Sequence, residues 1–234
     1  MNTVYRHIDR DEFEDLASRI LWEDNYILIF NKRVGEIVQG DKSGDEPLSE
    51  TLKAFIAQRD DKPGKVFMGV PHRLDRPVSG VTLFAKRSKS LERLNEALRL
   101  GEIDKRYWAL VAKRPEPDSG ELKHYLLRNE KQNKSYAYNI PKSGSKEARL
   151  KYELIKVTDR YFLLEIELLT GRHHQIRCQL ATIGSPIKGD LKYGAPRSNK
   201  DGGISLHARS ISFIHPINKT LVKVEATPEW AEIR

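Results

Sequence analysis

The chain has 234 residues, and its 41 lysines and arginines against 33 aspartates and glutamates give a formal charge of +8 and an isoelectric point near 9.4. This length supports one substantial hydrophobic core, and the basic excess suits a polyanionic partner because neutralised phosphates release counterions. The single cysteine, Cys178, excludes an internal disulfide and a thiolate-rich metal site, and no apolar run is long enough to cross a bilayer.

The amino terminus is polar and has no secretory signal, which together with the single cysteine predicts a cytoplasmic protein without a membrane partner. Apolar residues at helical or alternating spacing predict the elements of the first half. These are a short helix around Phe13 and Leu16, two strands within 20–32, a helix over 48–57, strand-like runs at 66–70 and 81–85, and a helix over 88–100. Ser88 or Ser90 is expected to cap the last helix, and Gly101 to end it.

The second half is predicted to be richer in strands. Its predicted elements are a strand over 105–112, short strands within 121–140, strands over 147–157 and 161–169, a helix opening at Thr170 and ending at Gly184, and strands over 204–214 and 220–226. Strands therefore outnumber helices and are often joined by short links, which predicts an α+β fold with a mixed but largely antiparallel sheet.

One loop in the first half concentrates groups that could carry chemistry. The segment His72–Gly80 has the sequence HRLDRPVSG and lies between the two strand-like runs. Asp75 stands between Arg73 and Arg76, and nearby positive charge favours its ionised form. An ionised carboxylate on a short loop is a candidate nucleophile, whereas the ordinary alternative is a turn aspartate that bonds only its local backbone.

This segment resembles the active-site motif of the RluA-type pseudouridine synthases, which runs HRLDxxTSG, with Val78 in place of the usual threonine. A second resemblance covers Thr170–Arg177, with the sequence TGRHHQIR, and continues through Gly184–Asp190 to Tyr193-Gly194. The pair Lys32-Arg33 resembles the family's opening Lys-Pro pair, with arginine replacing the proline. Two long motifs in the family's order form a specific signal.

The resemblance implies a single curved, mixed sheet with flanking helices and a central RNA-binding cleft. It covers residues 20–234 as one catalytic domain, and residues 1–19 are expected to be an extension that is too short for an S4 domain. The implied activity is isomerisation of uridine to pseudouridine in structured RNA, either ribosomal or transfer RNA, with the target nucleotide flipped into the cleft. No cofactor and no metal are expected, and a monomer is the expected state.

The resemblance also assigns three catalytic residues. Asp75 matches the essential carboxylate, which attacks the nucleoside or stabilises charge on the ribose. Arg177 matches the arginine that pairs with this carboxylate, and a guanidinium can hold a carboxylate bidentately. Tyr107 matches the tyrosine that stacks on the target base and places its hydroxyl for proton transfer. Without the motifs, a surface arginine and a core tyrosine are the ordinary alternatives.

Cations near the motifs are predicted to bind RNA. Arg73 is expected to fill the gap left by the flipped nucleotide or to contact its phosphate. Further predicted RNA-binding residues are Arg76, Lys105, Arg172 and His174, the last of which could instead hydrogen-bond the strand ends. His72 is expected to orient its loop. Recognition outside the motifs is assigned to the rim, around 131–134 and near Arg197 and Lys200.

Two other function classes compete with this interpretation. A catalytically silent RNA-binding protein of the same fold would not need a carboxylate facing phosphate-rich RNA. A glycoside-cleaving hydrolase usually requires two cooperating carboxylates, and only Asp75 can be nominated. The adjacent histidines His173 and His174 are not expected to form a metal site, because a single cysteine does not make a ligand cluster with them.

Overall fold

The computed structural model of the protein describes residues 4–232, which form two compact units. The first unit contains residues 4–103 and 212–226, and the second contains residues 104–211 and 227–232. No helix among the described residues combines the length and the apolar character needed to span a bilayer.

The first unit contains three helices and a small antiparallel sheet. Its elements are α1 (Arg10–Ser18), β1 (Ile20–Glu23), β2 (Ile27–Lys32), α2 (Leu48–Arg59), β3 (Ser79–Ala85), α3 (Ser88–Leu100) and β10 (Leu221–Glu225). The strand β2 pairs with β1 on one side and with β3 on the other, antiparallel in both cases. Ile27, Leu28 and Phe30 of β2 are fully buried, as is Phe55 of α2, so both faces of this strand are covered.

The second unit is dominated by long antiparallel strands. Its elements are β4 (Asp104–Val111), β5 (Ser119–Asn129), β6 (Lys134–Tyr138), β7 (Lys146–Val157), β8 (Phe162–Leu168), α4 (Gln175–Thr182), two 3-10 helices (Leu191–Tyr193 and Glu229–Glu232) and most of β9 (Leu206–Ile214). The strand order is β4-β8-β7-β5-β6, antiparallel throughout. Leu126 and Ala148 of the strands pack together with Cys178 of α4 and with Tyr193.

The predicted fold class is confirmed, because the described residues form four α-helices and ten strands with largely antiparallel pairing, which make an α+β protein. Local signals account for several of the boundaries. The Asp9 carboxylate accepts a hydrogen bond from the Glu12 N–H at 2.9 Å and so caps α1. Gly101 ends α3 in the left-handed conformation, at φ 75°, as its sequence position predicted.

Two expectations for the first unit are wrong. Within the run 66–70, which was predicted as a strand, the structure has an isolated bridge between Gly69 and Ala85. A Cβ at Gly69 would lie 2.8 Å from Cδ2 of Leu91, so the backbone at this bridge packs directly against a side chain of α3. The helix α3 begins after Arg87, and no side-chain hydrogen bond caps its start, so the serine cap is also not formed.

Candidate active site

Asp75 lies in the loop that leads into β3 and is half-buried. Leu74 and Val78 on either side of it are buried and act as apolar anchors for the loop. The Val78 N–H donates to the Asp75 carbonyl at 3.0 Å, which closes a turn around the carboxylate. Val78 is buried although the related motif usually has threonine here, so apolar packing alone suffices to seat this side chain.

Lys32 holds this loop in place through hydrogen bonds to its backbone. It ends β2, only 1% of its surface is exposed, and its ammonium donates to three backbone carbonyls. These are the carbonyls of Val78 at 2.6 Å, Arg33 at 2.9 Å and Arg76 at 3.2 Å. Two of them belong to the turn that carries Asp75. An ammonium has three donors, so the geometry uses its full capacity and ties the loop to the sheet.

Burial lowers the pKa of Lys32 to about 8, and repulsion from Arg76 acts in the same direction. The carboxylates of Glu36 and Asp75 act in the opposite direction and raise this pKa. A buried cation is costly unless its environment compensates for lost hydration, and here carbonyl dipoles supply that compensation. The negative charge of Asp75 therefore favours the charged form of the residue that holds its loop.

Replacing Lys32 with methionine is expected to change how stability depends on pH. The folded pKa of about 8 lies below the ordinary value of 10.5, so between these values the unfolded chain binds a proton that the folded chain lacks. The free energy of unfolding of the wild type should therefore rise with pH across this window by about 3 kcal/mol relative to Lys32→Met. Urea unfolding below pH 8 and near pH 10.5 measures this difference.

The matched control for this experiment is Lys223→Met, which removes a lysine with a 64% exposed side chain from the same unit. Its pH profile should follow that of the wild type. Parallel profiles for the wild type and Lys32→Met would show that Lys32 stays charged throughout the window, contrary to the expectation.

The other predicted residues of this loop differ in their surroundings. His72 accepts a hydrogen bond from the Leu83 N–H at its Nε2, at 3.0 Å, so it joins the start of the loop to β3. Arg73 is exposed. Arg76 is also exposed, and its Nη2 lies 2.6 Å from Oδ2 of Asp45 and 2.8 Å from Oγ of Ser43. A phosphate that binds Arg76 would therefore replace a carboxylate.

Arg177 lies on α4 in the second unit and is held by Asp190. Its Nε lies 2.6 Å from Oδ2 of Asp190, and its Nη2 lies 2.9 Å from Oδ1. Exposure is 5% for Arg177 and 1% for Asp190, so this is a buried bidentate ion pair. The carboxylate fixes the plane of the guanidinium, and thereby the direction of its remaining nitrogen, Nη1.

Tyr193 forms a second support beneath Arg177. Its hydroxyl accepts a hydrogen bond from the Ser135 N–H at 2.8 Å and lies 3.0 Å from Nδ1 of His174. The guanidinium carbon of Arg177 and the ammonium of Lys134 lie 5.2 Å and 5.1 Å from the centre of its ring. Burial raises the pKa of Tyr193, so the hydroxyl stays protonated at neutral pH and the ring stabilises nearby cations through its face.

The helix α4 begins at Gln175 and not at Thr170, as the sequence had indicated. His174 has φ 52°, a left-handed conformation that an α-helix cannot contain. Gln175 organises the residues before it, because its Oε1 accepts from the Thr170 hydroxyl at 2.7 Å and from the Arg172 N–H at 3.0 Å. Its Nε2 donates to the Arg149 carbonyl at 3.0 Å, which joins this turn to β7.

The remaining predicted residues lie around this turn. Lys105 lies next to Gly171. A Cβ built on this glycine would be 3.9 Å from Nζ of Lys105. Burial lowers the pKa of Lys105 against the attraction of Asp104. Arg172 is exposed, and its Nε donates to the Glu147 carbonyl at 2.8 Å. Tyr107 lies two residues after Lys105 on the same face of β4 and is 7% exposed.

The structure therefore brings the predicted residues together in two groups. Asp75 lies with Arg73 and Arg76 in one unit, and the second unit holds the other five, which are Lys105, Tyr107, Arg172, His174 and Arg177. The pairing of Asp75 with Arg177 stays a prediction. Sequence reasoning assigned no role to Lys32, Asp190 or Tyr193, although all three stand in the matched motifs, and their position there was the available signal.

Solved structures define the class of fold. The human protein described as RNA pseudouridylate synthase domain containing 4 has a TM-score of 0.77 with this chain, covering 93% of this chain and 92% of its own, at 21% sequence identity. A second human protein, RNA pseudouridylate synthase domain containing 1, has a TM-score of 0.68 and covers 90% of this chain. The fold is that of a pseudouridine synthase.

The sequence comparisons make the assignment at the level of the family. The sequence model for RNA pseudouridylate synthase matches residues 26–182. Ribosomal large subunit pseudouridine synthase C of Yersinia pestis is 31% identical over 222 residues, which cover 92% of this chain and 67% of that protein. The protein of the same name from Escherichia coli is 33% identical over 223 residues, covering 90% and 66%.

This chain belongs to the RNA pseudouridylate synthase family. It spans about two thirds of the length of these relatives. The reaction and enzyme class predicted from the two motifs, isomerisation of uridine in RNA, are confirmed.

Proposed function

We propose that this protein isomerises uridine to pseudouridine in large-subunit ribosomal RNA, with Asp75, Tyr107 and Arg177 as its catalytic residues. The observation that carries the choice of RNA is the similarity, over 92% of the chain, to an enzyme named for the large ribosomal subunit. The net charge of +8 supports a polyanionic substrate. A ribosomal substrate also agrees with the cytoplasmic location predicted from the sequence, and a monomer is the expected acting form.

The reaction rearranges one nucleoside without loss or gain of atoms. The bond from N1 to C1′ breaks, the uracil rotates, and a bond forms from C5 to C1′. The proton leaves C5, and N1 ends protonated. Asp75 is proposed to supply the carboxylate that attacks the nucleoside or stabilises charge on the ribose. Its support by Lys32 favours this role, because a carboxylate on a fixed turn loses little freedom when the substrate binds.

Arg177 is proposed to pair with Asp75 during the reaction. Asp190 occupies the Nε and Nη2 edge of the guanidinium, so a second carboxylate would meet it through Nη1. An arginine that is already fixed on one edge presents its charge without loss of side-chain freedom. Asp190 is thus a positioning residue for Arg177 in this proposal.

The substrate assignment can be tested with RNA from cells that lack this gene. We expect one or more pseudouridines to be missing from the large-subunit ribosomal RNA and restored by a plasmid copy of the gene. Transfer RNA from the same cells is the matched control, and its pseudouridines should be unchanged. Loss of pseudouridine from transfer RNA alone would contradict the ribosomal assignment while leaving the reaction class intact.

Replacing Tyr107 with phenylalanine is expected to separate stacking from proton transfer. The ring remains, so affinity for a large-subunit ribosomal RNA transcript should stay within about threefold, while single-turnover isomerisation should slow by about 10² to 10⁴. Release of tritium from RNA labelled at C5 of uridine measures the rate. Tyr152→Phe, which removes a strand tyrosine hydroxyl bonded to the Pro117 carbonyl in the same unit, should retain the wild-type rate. A wild-type rate for Tyr107→Phe would remove the hydroxyl from the mechanism.

A further inference from the structure

A cavity of about 560 Å³ lies in the second unit, bounded by the loop over 195–201 and the 3-10 helix Glu229–Glu232. Pro186, Pro196 and the indole of Trp230 give it apolar walls, and Tyr161 lies at its edge. This volume falls in the range of pockets that hold small organic molecules. None of the residues assigned to catalysis lines it, so it is a separate site.

The cavity is basic and aromatic at once. Lys188, Arg197 and Lys200 line it, against two carboxylates, Asp201 and Glu229. One of these carboxylates is engaged locally, because Oδ1 of Asp201 accepts a hydrogen bond from the Gly203 N–H at 2.9 Å. Arg197 and Lys200 are exposed, so both cations can meet a phosphate without desolvation of a buried charge.

The aromatic groups of the cavity are held in place by their neighbours. The ammonium of Lys188 lies 5.3 Å from the centre of the Tyr161 ring, and the His207 ring packs edge-to-face on Trp230 at 6.5 Å. An indole fixed by a neighbour offers a flat surface at low entropic cost, and every nucleobase can stack on such a surface.

The loop that closes the cavity is anchored to the strands behind it. Gly189 has φ +88°, and a Cβ there would lie 2.7 Å from Cγ of Asn199, so the asparagine side chain packs directly on the glycine. Nδ2 of Asn199 also donates to Oγ of Ser205 at 3.2 Å. The backbone of Lys188 bonds to Leu110 and Ser205 at 2.8 Å each. The cavity is therefore formed before any ligand arrives.

We propose that this cavity binds one nucleotide of the RNA substrate other than the isomerised uridine, with the base against Trp230 and the phosphate at Arg197 and Lys200. The inference rests on the proposed function, since it assumes that RNA is the substrate. Its place in the chain supports it, because Gly189 is followed by Asp190, which holds Arg177.

The test uses the full chain and a large-subunit ribosomal RNA transcript, with affinity measured by filter binding in the inactive Asp75→Asn background. Trp230→Leu should weaken affinity about tenfold, as expected for the loss of one stacked base. Arg197→Ala/Lys200→Ala should weaken it similarly and should reduce the slope of log K against log salt by about 1 to 2. In otherwise wild-type enzyme, both variants should raise KM and leave kcat within about twofold.

The charge-matched control is Arg10→Ala/Lys223→Ala, which removes two cations with side-chain exposures of 87% and 64% from the first unit. It should keep the affinity and the salt slope of the parent protein. Trp230→Leu could affect folding, so a second measurement uses Trp230 as the sole indole, in Trp22→Phe/Trp108→Phe, where the transcript should quench its fluorescence.

Unchanged affinity and salt slope in Arg197→Ala/Lys200→Ala would overturn the proposal. So would quenching of Trp230 by uridine or adenosine monophosphate that the transcript does not displace, because the cavity would then serve a free nucleotide. If the transcript binds through the cavity but is not isomerised by the wild type, the inference stands and the proposed function fails. If isomerisation occurs but the cavity variants bind normally, the inference fails alone.

Discussion

Asp75→Asn is expected to lower the rate of isomerisation at least about 10³-fold, because the amide keeps the shape of the side chain but cannot act as an anionic nucleophile. Affinity for a large-subunit ribosomal RNA transcript should change by less than about threefold, since one uncharged group in place of a carboxylate removes repulsion from phosphate and not attraction. Single-turnover release of tritium from C5 of labelled uridine measures the rate, and filter binding measures affinity.

The structure supplies an internal check on this variant. The negative charge of Asp75 is one of the influences that favour the charged form of Lys32, so its removal should lower the pKa of Lys32 further. The pH window in which stability rises should then widen towards lower pH in Asp75→Asn. If Asp75→Asn lost activity but kept the pH profile of stability of the wild type, the carboxylate of Asp75 would not influence Lys32, contrary to the structure.

Asp118→Asn is the matched control for activity. Asp118 is an exposed carboxylate that pairs with Arg114, and it belongs to neither motif. Its rate should equal that of the wild type. If Asp75→Asn isomerised uridine at the wild-type rate, the proposed catalytic role of Asp75 would be lost, although the family assignment would remain.

The motif around Asp75 is recognisable in the sequence, but the hydrogen bonds from Lys32 that hold its loop are not. Lys32 lies far from Asp75 in the chain, and its partners are backbone carbonyls, which every residue possesses. The hydrogen bonds of Lys32 could therefore not be predicted from any pattern of side chains in the sequence. The available hint was the place of Lys32 in the opening motif, and a lysine that ends a strand is ordinarily solvated.

The start of α4 was misplaced for a different reason. The apolar residues Ile176, Leu180 and Ile183 follow helical spacing, but this stripe does not fix where the helix begins, and spacing does not register a competing side-chain hydrogen bond. Gln175 satisfies the hydroxyl of Thr170 and the N–H of Arg172, so the chain gains by staying in a turn there. The balance between helix and turn at 170–174 depends on the hydrogen bonds of one side chain, Gln175, and these bonds cannot be read from residue spacing.

Asp190 shows how a motif can be recognised and still be incompletely interpreted. The resemblance assigned Arg177 one carboxylate partner, Asp75, and left Asp190 as a conspicuous residue without a role. In the structure Asp190 grips the same guanidinium bidentately and is almost fully buried. A planar guanidinium presents more than one edge to its surroundings, so the bond to Asp190 is compatible with the proposed pairing with Asp75.

Asp190→Asn is expected to destabilise the protein by about 3–5 kcal/mol, because it removes the carboxylate charge that offsets the buried Arg177 cation along its Nε and Nη2 edge. Arginine cannot relieve this cost by losing a proton. Urea unfolding and the thermal midpoint measure the loss, which for a chain of this size corresponds to about 10 °C. Asp118→Asn is the matched control, since Arg114 grips Asp118 through the same two nitrogens in an exposed setting, and no resolvable change is expected there.

The double variant Arg177→Met/Asp190→Leu distinguishes the cost of an orphaned charge from loss of packing. Removal of both members eliminates the charge imbalance that Asp190→Asn creates, so the double variant should be more stable than Asp190→Asn, although it has lost the same ion pair. It should nevertheless be inactive, because Arg177 is absent. If the double variant were as unstable as Asp190→Asn, shape and not charge would be the contribution of this pair. The role of Asp190 in positioning Arg177 would then lose its physical basis.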